Sequence, residues 1–168
     1  ASPASAAPPA AATAIAVPPI GFTERSLPNG LKVYAIRDTS TPNVSVQVWY
    51  DVGSKDDPEG RSGFAHLFEH LLFKATRNMP SETLDRLTED VGGFNNAFTS
   101  SDVTAYHSVV PANHLETLLW AEAERMANLR VEAAAFASER AVVQEEFRQV
   151  VLAAPYGRFA QAVRTRPY

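Results

Sequence analysis

The chain contains no cysteine. Disulfides and thiolate metal sites are therefore excluded, and any metal must be held by histidine and carboxylate side chains. No apolar run approaches the roughly 20 residues that a membrane-spanning helix needs. There is no long basic run, and the net charge is −4, so nothing resembles a nucleic-acid footprint. No internal repeat is visible. Residues 1–19 are nearly all Ala, Pro, Ser, Thr and Val. They offer little side chain to bury and many prolines, which predicts an extended, disordered arm ahead of a domain over residues 20–168. The arm lacks the charged start and long apolar run of an intact signal peptide, yet its small, Ala-rich residues resemble the mature side of a cleavage site. The expectation is an exported protein, periplasmic or extracellular. The 168 residues are 45% hydrophobic and 20% charged, ordinary for a globular domain with one sizeable core.

Residues 21–27 lead into a turn, and residues 31–37 beyond it alternate apolar and polar. Pro28-Asn29-Gly30 lies between them, which predicts a hairpin. Residues 44–50 alternate again and are rich in β-branched side chains, a third strand. A polar loop, 53–61, comes next, with Ser62 placed to cap the helix after it. A helix is predicted from Ser81 to about Val91, stopped by Gly92-Gly93. Residues 94–99 and 103–110 read as strands. Pro111 is expected to open a third helix at its first turn, with Leu115, Leu118, Leu119, Ala123 and Met126 as its apolar stripe. A fourth helix spans about residues 132–152, and Pro155-Tyr156-Gly157-Arg158 breaks it. Strands and helices come in blocks, which predicts an α+β fold with helices on a mostly antiparallel sheet.

The stretch with most chemistry is Gly63-Phe64-Ala65-His66-Leu67-Phe68-Glu69-His70-Leu71-Leu72-Phe73. It is apolar and free of proline, so it reads as a largely buried helix. At about 100° per residue, His66 and His70 stand roughly 40° apart on one face, where both imidazoles can grip one ion. Glu69 lies on an adjoining face, within reach of a water on that ion, the arrangement for general-base hydrolysis. His-x-x-Glu-His is the inverse of the His-Glu-x-x-His zincin pattern.

A catalytic zinc needs a third protein ligand and one open position. His107 falls on a strand and His114 on a polar helix face. Glu139, Glu145 and Glu146 fall on the fourth helix and are the better candidates. Glu139 and Glu146 are seven apart and share a face, whereas Glu145 is about 100° away. One of that pair could bind a metal while the other steadies a ligand from behind.

Several segments together carry a resemblance. The motif helix through Lys74 resembles the active-site helix of the pitrilysin, insulin-degrading enzyme and mitochondrial processing peptidase family. Gly92-Gly93-Phe94-Asn95-Asn96-Ala97-Phe98-Thr99, then Asp102-Val103-Thr104-Ala105-Tyr106, is similar to the family's Gly-Gly…Asn-Ala…Thr segment. Glu139-Arg140-Ala141-Val142-Val143-Gln144-Glu145-Glu146 and Pro155-Tyr156-Gly157-Arg158 come after it in the family's order. The match runs from about Gly21 to Tyr168.

The resemblance implies a zinc metalloendopeptidase. His66, His70 and Glu146 would be the zinc ligands, Glu69 the general base, and Glu139 the glutamate that supports a ligand. Asn96 and Ala97 would lie on the strand that holds substrate backbone by strand addition. Phe73 and Phe98 are assigned to the core. Family members are longer, and a later repeat closes over the site. The expectation is therefore an incomplete repeat that needs a second domain or a partner subunit of the same family, with peptide as substrate. Rival readings are a non-catalytic partner subunit and a zinc hydrolase of another substrate. The chain keeps every motif residue, which favours the peptidase.

Overall fold

The structure, a computed structural model, describes residues 19–165. The arm expected over residues 1–19 lies outside the described residues except for Pro19. The chain divides into two compact units, the first ending at Thr41 and the second beginning at Pro42.

The first unit holds the expected hairpin. Strands β1 (Thr23–Ser26) and β2 (Lys32–Ala35) pair antiparallel, Thr23 opposite Ala35 and Ser26 opposite Lys32. Gly30 sits at φ +87°, a conformation glycine adopts without strain. Its N–H donates to the Leu27 carbonyl at 2.9 Å, and the Asn29 side chain accepts from the Leu31 N–H at 3.1 Å.

The second unit is built on a three-stranded antiparallel sheet in the order β3-β5-β4. β3 is Asn43–Tyr50, β4 is Phe94–Thr99 and β5 is Thr104–Pro111. Their alternation decides the faces. Val44, Val46, Val48 and Tyr50 on β3, and Asn95, Ala97 and Thr99 on β4, turn toward the helices. Trp49, Phe94 and Phe98 stand on the other, exposed face, with Trp49 and Phe98 edge to face at 5.8 Å. Phe98 is thus not a core residue, unlike Phe73, which packs on the core.

On the inner face lie α1 (Phe64–Leu71), α2 (Thr83–Glu89) and α3 (Leu115–Asn128). Met79, Leu84, Val110, Leu118 and Ala121 form the buried cluster, flanked by Val44, Val46, Phe73, Leu87 and Val91. Gly93 passes so close to β5 that a Cβ there would lie 2.1 Å from the Val109 carbonyl oxygen, so no other residue fits. Helix α4 (Ala133–Phe147) packs against α1 and runs on into a π-helical turn, Arg148–Leu152. A further helix, α5 (Gly157–Thr165), starts where the sequence shows only a break.

Two further expectations are corrected. Pro111 does not open a helix. It is the last residue of β5, and a 3-10 turn, Ala112–His114, precedes α3. The buried face of α3 is also not the apolar stripe: Leu118, Ala121, Glu122, Glu124 and Arg125 are buried, whereas Leu119 and Met126 are exposed. The charged residues are buried because each is paired. Arg125 Nε and Nη2 donate to Glu122 at 2.7 Å each. Glu124 accepts hydrogen bonds from Thr76, Asn78 and Asn128.

Candidate metal centre

Helix α1 is eight residues long and is preceded by Gly63, which sits at φ +90°. Ser62 is not its cap. The Asp57 carboxylate, delivered by the preceding loop, accepts the Gly63 N–H at 2.6 Å and the Ala65 N–H at 2.8 Å. Those orphan donors and the positive helix end both favour a carboxylate there. Ala65, Leu67, Glu69 and Leu71 face the interior, leaving His66 and His70 half-buried beside α4.

The two imidazoles meet edge to face, ring centres 4.8 Å apart, with their Nε2 atoms 3.2 Å apart. Glu146 reaches in from the end of α4. Its Oε2 lies 3.4 Å from His66 Nε2 and 3.7 Å from His70 Nε2. Among the described residues, His66, His70 and Glu146 are the group able to offer three converging ligand atoms. Two donors of a tetrahedral zinc site, each about 2.0–2.1 Å from the ion, stand roughly 3.3 Å apart. The three observed separations match that edge length. The side chains of His66 and Glu146 are 37% and 44% exposed, so the triangle opens to solvent on one side.

Behind the triangle, His70 Nδ1 faces Glu139 Oε2 at 3.4 Å. With its proton on Nδ1, His70 donates to that carboxylate and turns the Nε2 lone pair into the triangle. Glu139 is buried, and Lys74 Nζ neutralises it at 2.9 Å. Seven residues of helix therefore carry one glutamate into the triangle and the other behind it. Glu145 points elsewhere: it is exposed and pairs with Arg148 at 3.0 Å and Gln149 at 3.1 Å. His107, on β5, meets Phe94 edge to face, and His114 lies in the turn before α3; neither joins the triangle.

Glu69 is buried on the same helix turn as the histidines and accepts a hydrogen bond from the Thr99 hydroxyl. Tyr106, next to this layer, is buried, and burial pushes its phenol far above the ordinary range. Arg125 beside it opposes that shift without cancelling it. Asn96 and Ala97 sit on β4, an outer strand, with the Asn96 side chain accepting the Ala97 N–H at 2.8 Å. Sequence reasoning assigned no role to Asp57, Lys74 or Thr99. Lys74 and Thr99 are the last residues of two motif segments, and that adjacency was the available signal.

An α+β layer with an inverted His-x-x-Glu-His helix and a glutamate helix against it defines the repeat of the inverted-zincin metallopeptidases. The chain belongs to the insulinase family, peptidase family M16, whose profile matches residues 32–164. It is 39% identical over 124 residues to zinc protease PqqE of Helicobacter pylori, covering 73% of this chain and 28% of that protein. It is 33% identical over 123 residues to cytochrome b-c1 complex subunit 1 of Rattus norvegicus, covering 73% of this chain and 25% of that protein. The crystal structure of a protease from Helicobacter pylori superposes with a TM-score of 0.79 at 36% identity, over 82% of this chain and 33% of that one. The chain thus spans about a quarter to a third of the length of these relatives. No helix among the described residues is long and apolar enough to cross a membrane.

Proposed function

We propose that this chain carries the zinc-binding and proton-transfer residues of a metalloendopeptidase acting on extended peptides. The observation that carries this reading is the triangle of His66, His70 and Glu146, spaced as the edges of a tetrahedral zinc site. Zinc bound there supplies Lewis-acid polarisation of a carbonyl and a lower pKa for water. Glu69 accepts a proton at a carboxylate oxygen as water adds to the scissile carbon. It returns that proton to the nitrogen as the C–N bond breaks, releasing an amine and a carboxylic acid. Glu139 holds His70 in the tautomer that leaves Nε2 free. The outer edge of β4, at Asn96 and Ala97, pairs with substrate backbone as an added strand. A second domain or subunit of the same family covers the exposed side of the site and excludes water.

A second reading, a non-catalytic subunit, is favoured by the relative named as a subunit of the cytochrome b-c1 complex. Retention of Glu69 with all three ligand-type residues weighs against it. Glu69→Gln separates the two. It keeps the shape of the side chain but cannot take a proton, so in the full-length protein zinc should remain and peptide hydrolysis should fall by about 10²–10⁴-fold. Unchanged hydrolysis would remove Glu69 from its role. No hydrolysis by the wild type, with zinc bound and the full length present, would favour the subunit reading.

A further inference from the structure

The Glu69 carboxylate is buried, and a buried carboxylate is held in place by the donors that reach it. The Thr99 hydroxyl reaches it and donates to Oε2. Thr99 is the last residue of β4 and faces inward, on the side of the sheet where α1 lies. Its cross-strand partner is Thr104, the first residue of β5. The two hydroxyl oxygens are 3.3 Å apart, and Thr104 Oγ1 donates to the Val52 carbonyl at 2.9 Å.

Two hydroxyl protons serve this row. Thr104 spends its proton on the nearer acceptor, Val52, so the Thr99 proton is uncontested and goes to Glu69. The donor also sits on a rigid element. Threonine is stiff at χ1, and the turn beyond it is closed by Ser100 N–H to the Val103 carbonyl at 2.8 Å and Val103 N–H to Ser100 Oγ at 3.2 Å. A charge-assisted hydrogen bond from such a platform fixes the plane of the carboxylate. It occupies Oε2 and leaves Oε1 as the oxygen for proton transfer.

We infer that Thr99 is the positioning residue of Glu69, aiming the carboxylate that the proposed peptidase uses as its base. This rests on the function proposed above. Thr99 faces α1 and not the outer edge of β4, so it acts on turnover and not on peptide or metal binding.

The test uses the full-length protein with Thr99→Val, which keeps shape and removes the donor, and Thr99→Ser, which keeps the donor. Loss of orientation should lower kcat in Thr99→Val by about 10–100-fold. KM and zinc affinity should stay within about twofold of wild type, and Thr99→Ser should recover most of the rate. In a Glu69→Gln background, adding Thr99→Val should cause little further loss, because the two act as one unit. Wild-type kcat in Thr99→Val, a loss seen in KM or zinc affinity, or no recovery in Thr99→Ser would overturn the inference. Thermal denaturation of the zinc-free proteins gives a check independent of turnover. Thr99→Val should lower Tm more in the parent than in Glu69→Gln, whose amide oxygen still accepts the hydroxyl but carries no charge; no loss of Tm in the parent would count against the contact. An inactive Glu69→Gln beside a fully active Thr99→Val sinks the inference alone. A fully active Glu69→Gln sinks the function reading, and the inference with it.

Discussion

Replacing Arg125 with methionine tests how α3 is held to the sheet. Arg125 is 2% exposed and Glu122 4% exposed. Their two hydrogen bonds of 2.7 Å form a bidentate ion pair inside the core. The guanidinium also lies over the Tyr106 ring at 4.4 Å and the Phe73 ring at 5.7 Å, which favours a cation at that place. Nη1 is buried without a hydrogen-bond partner, so the aromatic faces are its compensation. Methionine keeps an unbranched apolar stem but removes the guanidinium and strands the Glu122 carboxylate. Breaking a buried pair from one side costs about 3–5 kcal/mol. For a domain of this size, each kcal/mol moves Tm by about 2–4 °C, so Tm should fall by roughly 6–20 °C. Removing both charges, as Arg125→Met with Glu122→Leu, should recover most of that, because no charge is left buried alone. Circular dichroism melts of the wild type, the single variant and the double variant provide the measurement. A single variant within about 1 kcal/mol of wild type, or a double variant as unstable as the single, would refute the reasoning.

Three further outcomes are expected. Gly93→Ala should destabilise the chain by about 1–3 kcal/mol or more, read by denaturant unfolding, because its Cβ would collide with the Val109 carbonyl and backbone cannot move aside cheaply. Burial pushes Glu124 upward, but hydrogen bonds from Asn78, Thr76 and Asn128 outweigh it, and its pKa lies below the ordinary 4.5. A depressed folded pKa contributes stability that is present above pH 4.5 and lost as pH falls through the lower value, so Glu124→Gln should flatten that acid limb of the Tm-versus-pH curve. Residues 1–168 alone should hydrolyse extended peptides far more slowly than the same residues supplied with a second domain or partner subunit of the family. Val150, Tyr156 and Phe159 are exposed, and the open side of the metal triangle has no cover from the described residues. An assay of both forms checks this, and equal rates would contradict it.

Much of the fold was legible because the periods are clean. β3 alternates over its whole length, and His66 and His70 share a helix face by spacing alone. The placement of Glu146 beside both histidines and of Glu139 behind His70 agrees with a seven-residue separation read together with the family likeness. Features that were not legible depended on partners distant in sequence. Arg125 and Glu122 look solvent-exposed by type and are buried by pairing. Asp57 caps α1 from six residues before its first bonded N–H, so the nearer Ser62 was preferred wrongly. Pro111 fits both a strand end and a helix start, and the pairing of Asn43 with Pro111 decided for the strand. Helix α5 was missed because Tyr156 adopts φ +64° and turns the chain so that a new helix begins at Gly157. The hydroxyl row behind Glu69 joins β4, β5 and the loop after β3, and no local pattern encodes it.

The central claim is the metal site, and zinc binding tests it most directly. Metal-free protein titrated with zinc against a chromogenic chelator should take up about one ion per chain. His70→Ala and Glu146→Ala should each abolish tight binding, and Glu139→Gln should weaken it by about 10–100-fold while the fold persists. No zinc uptake by the folded wild type, or uptake unchanged in His70→Ala, would contradict the account.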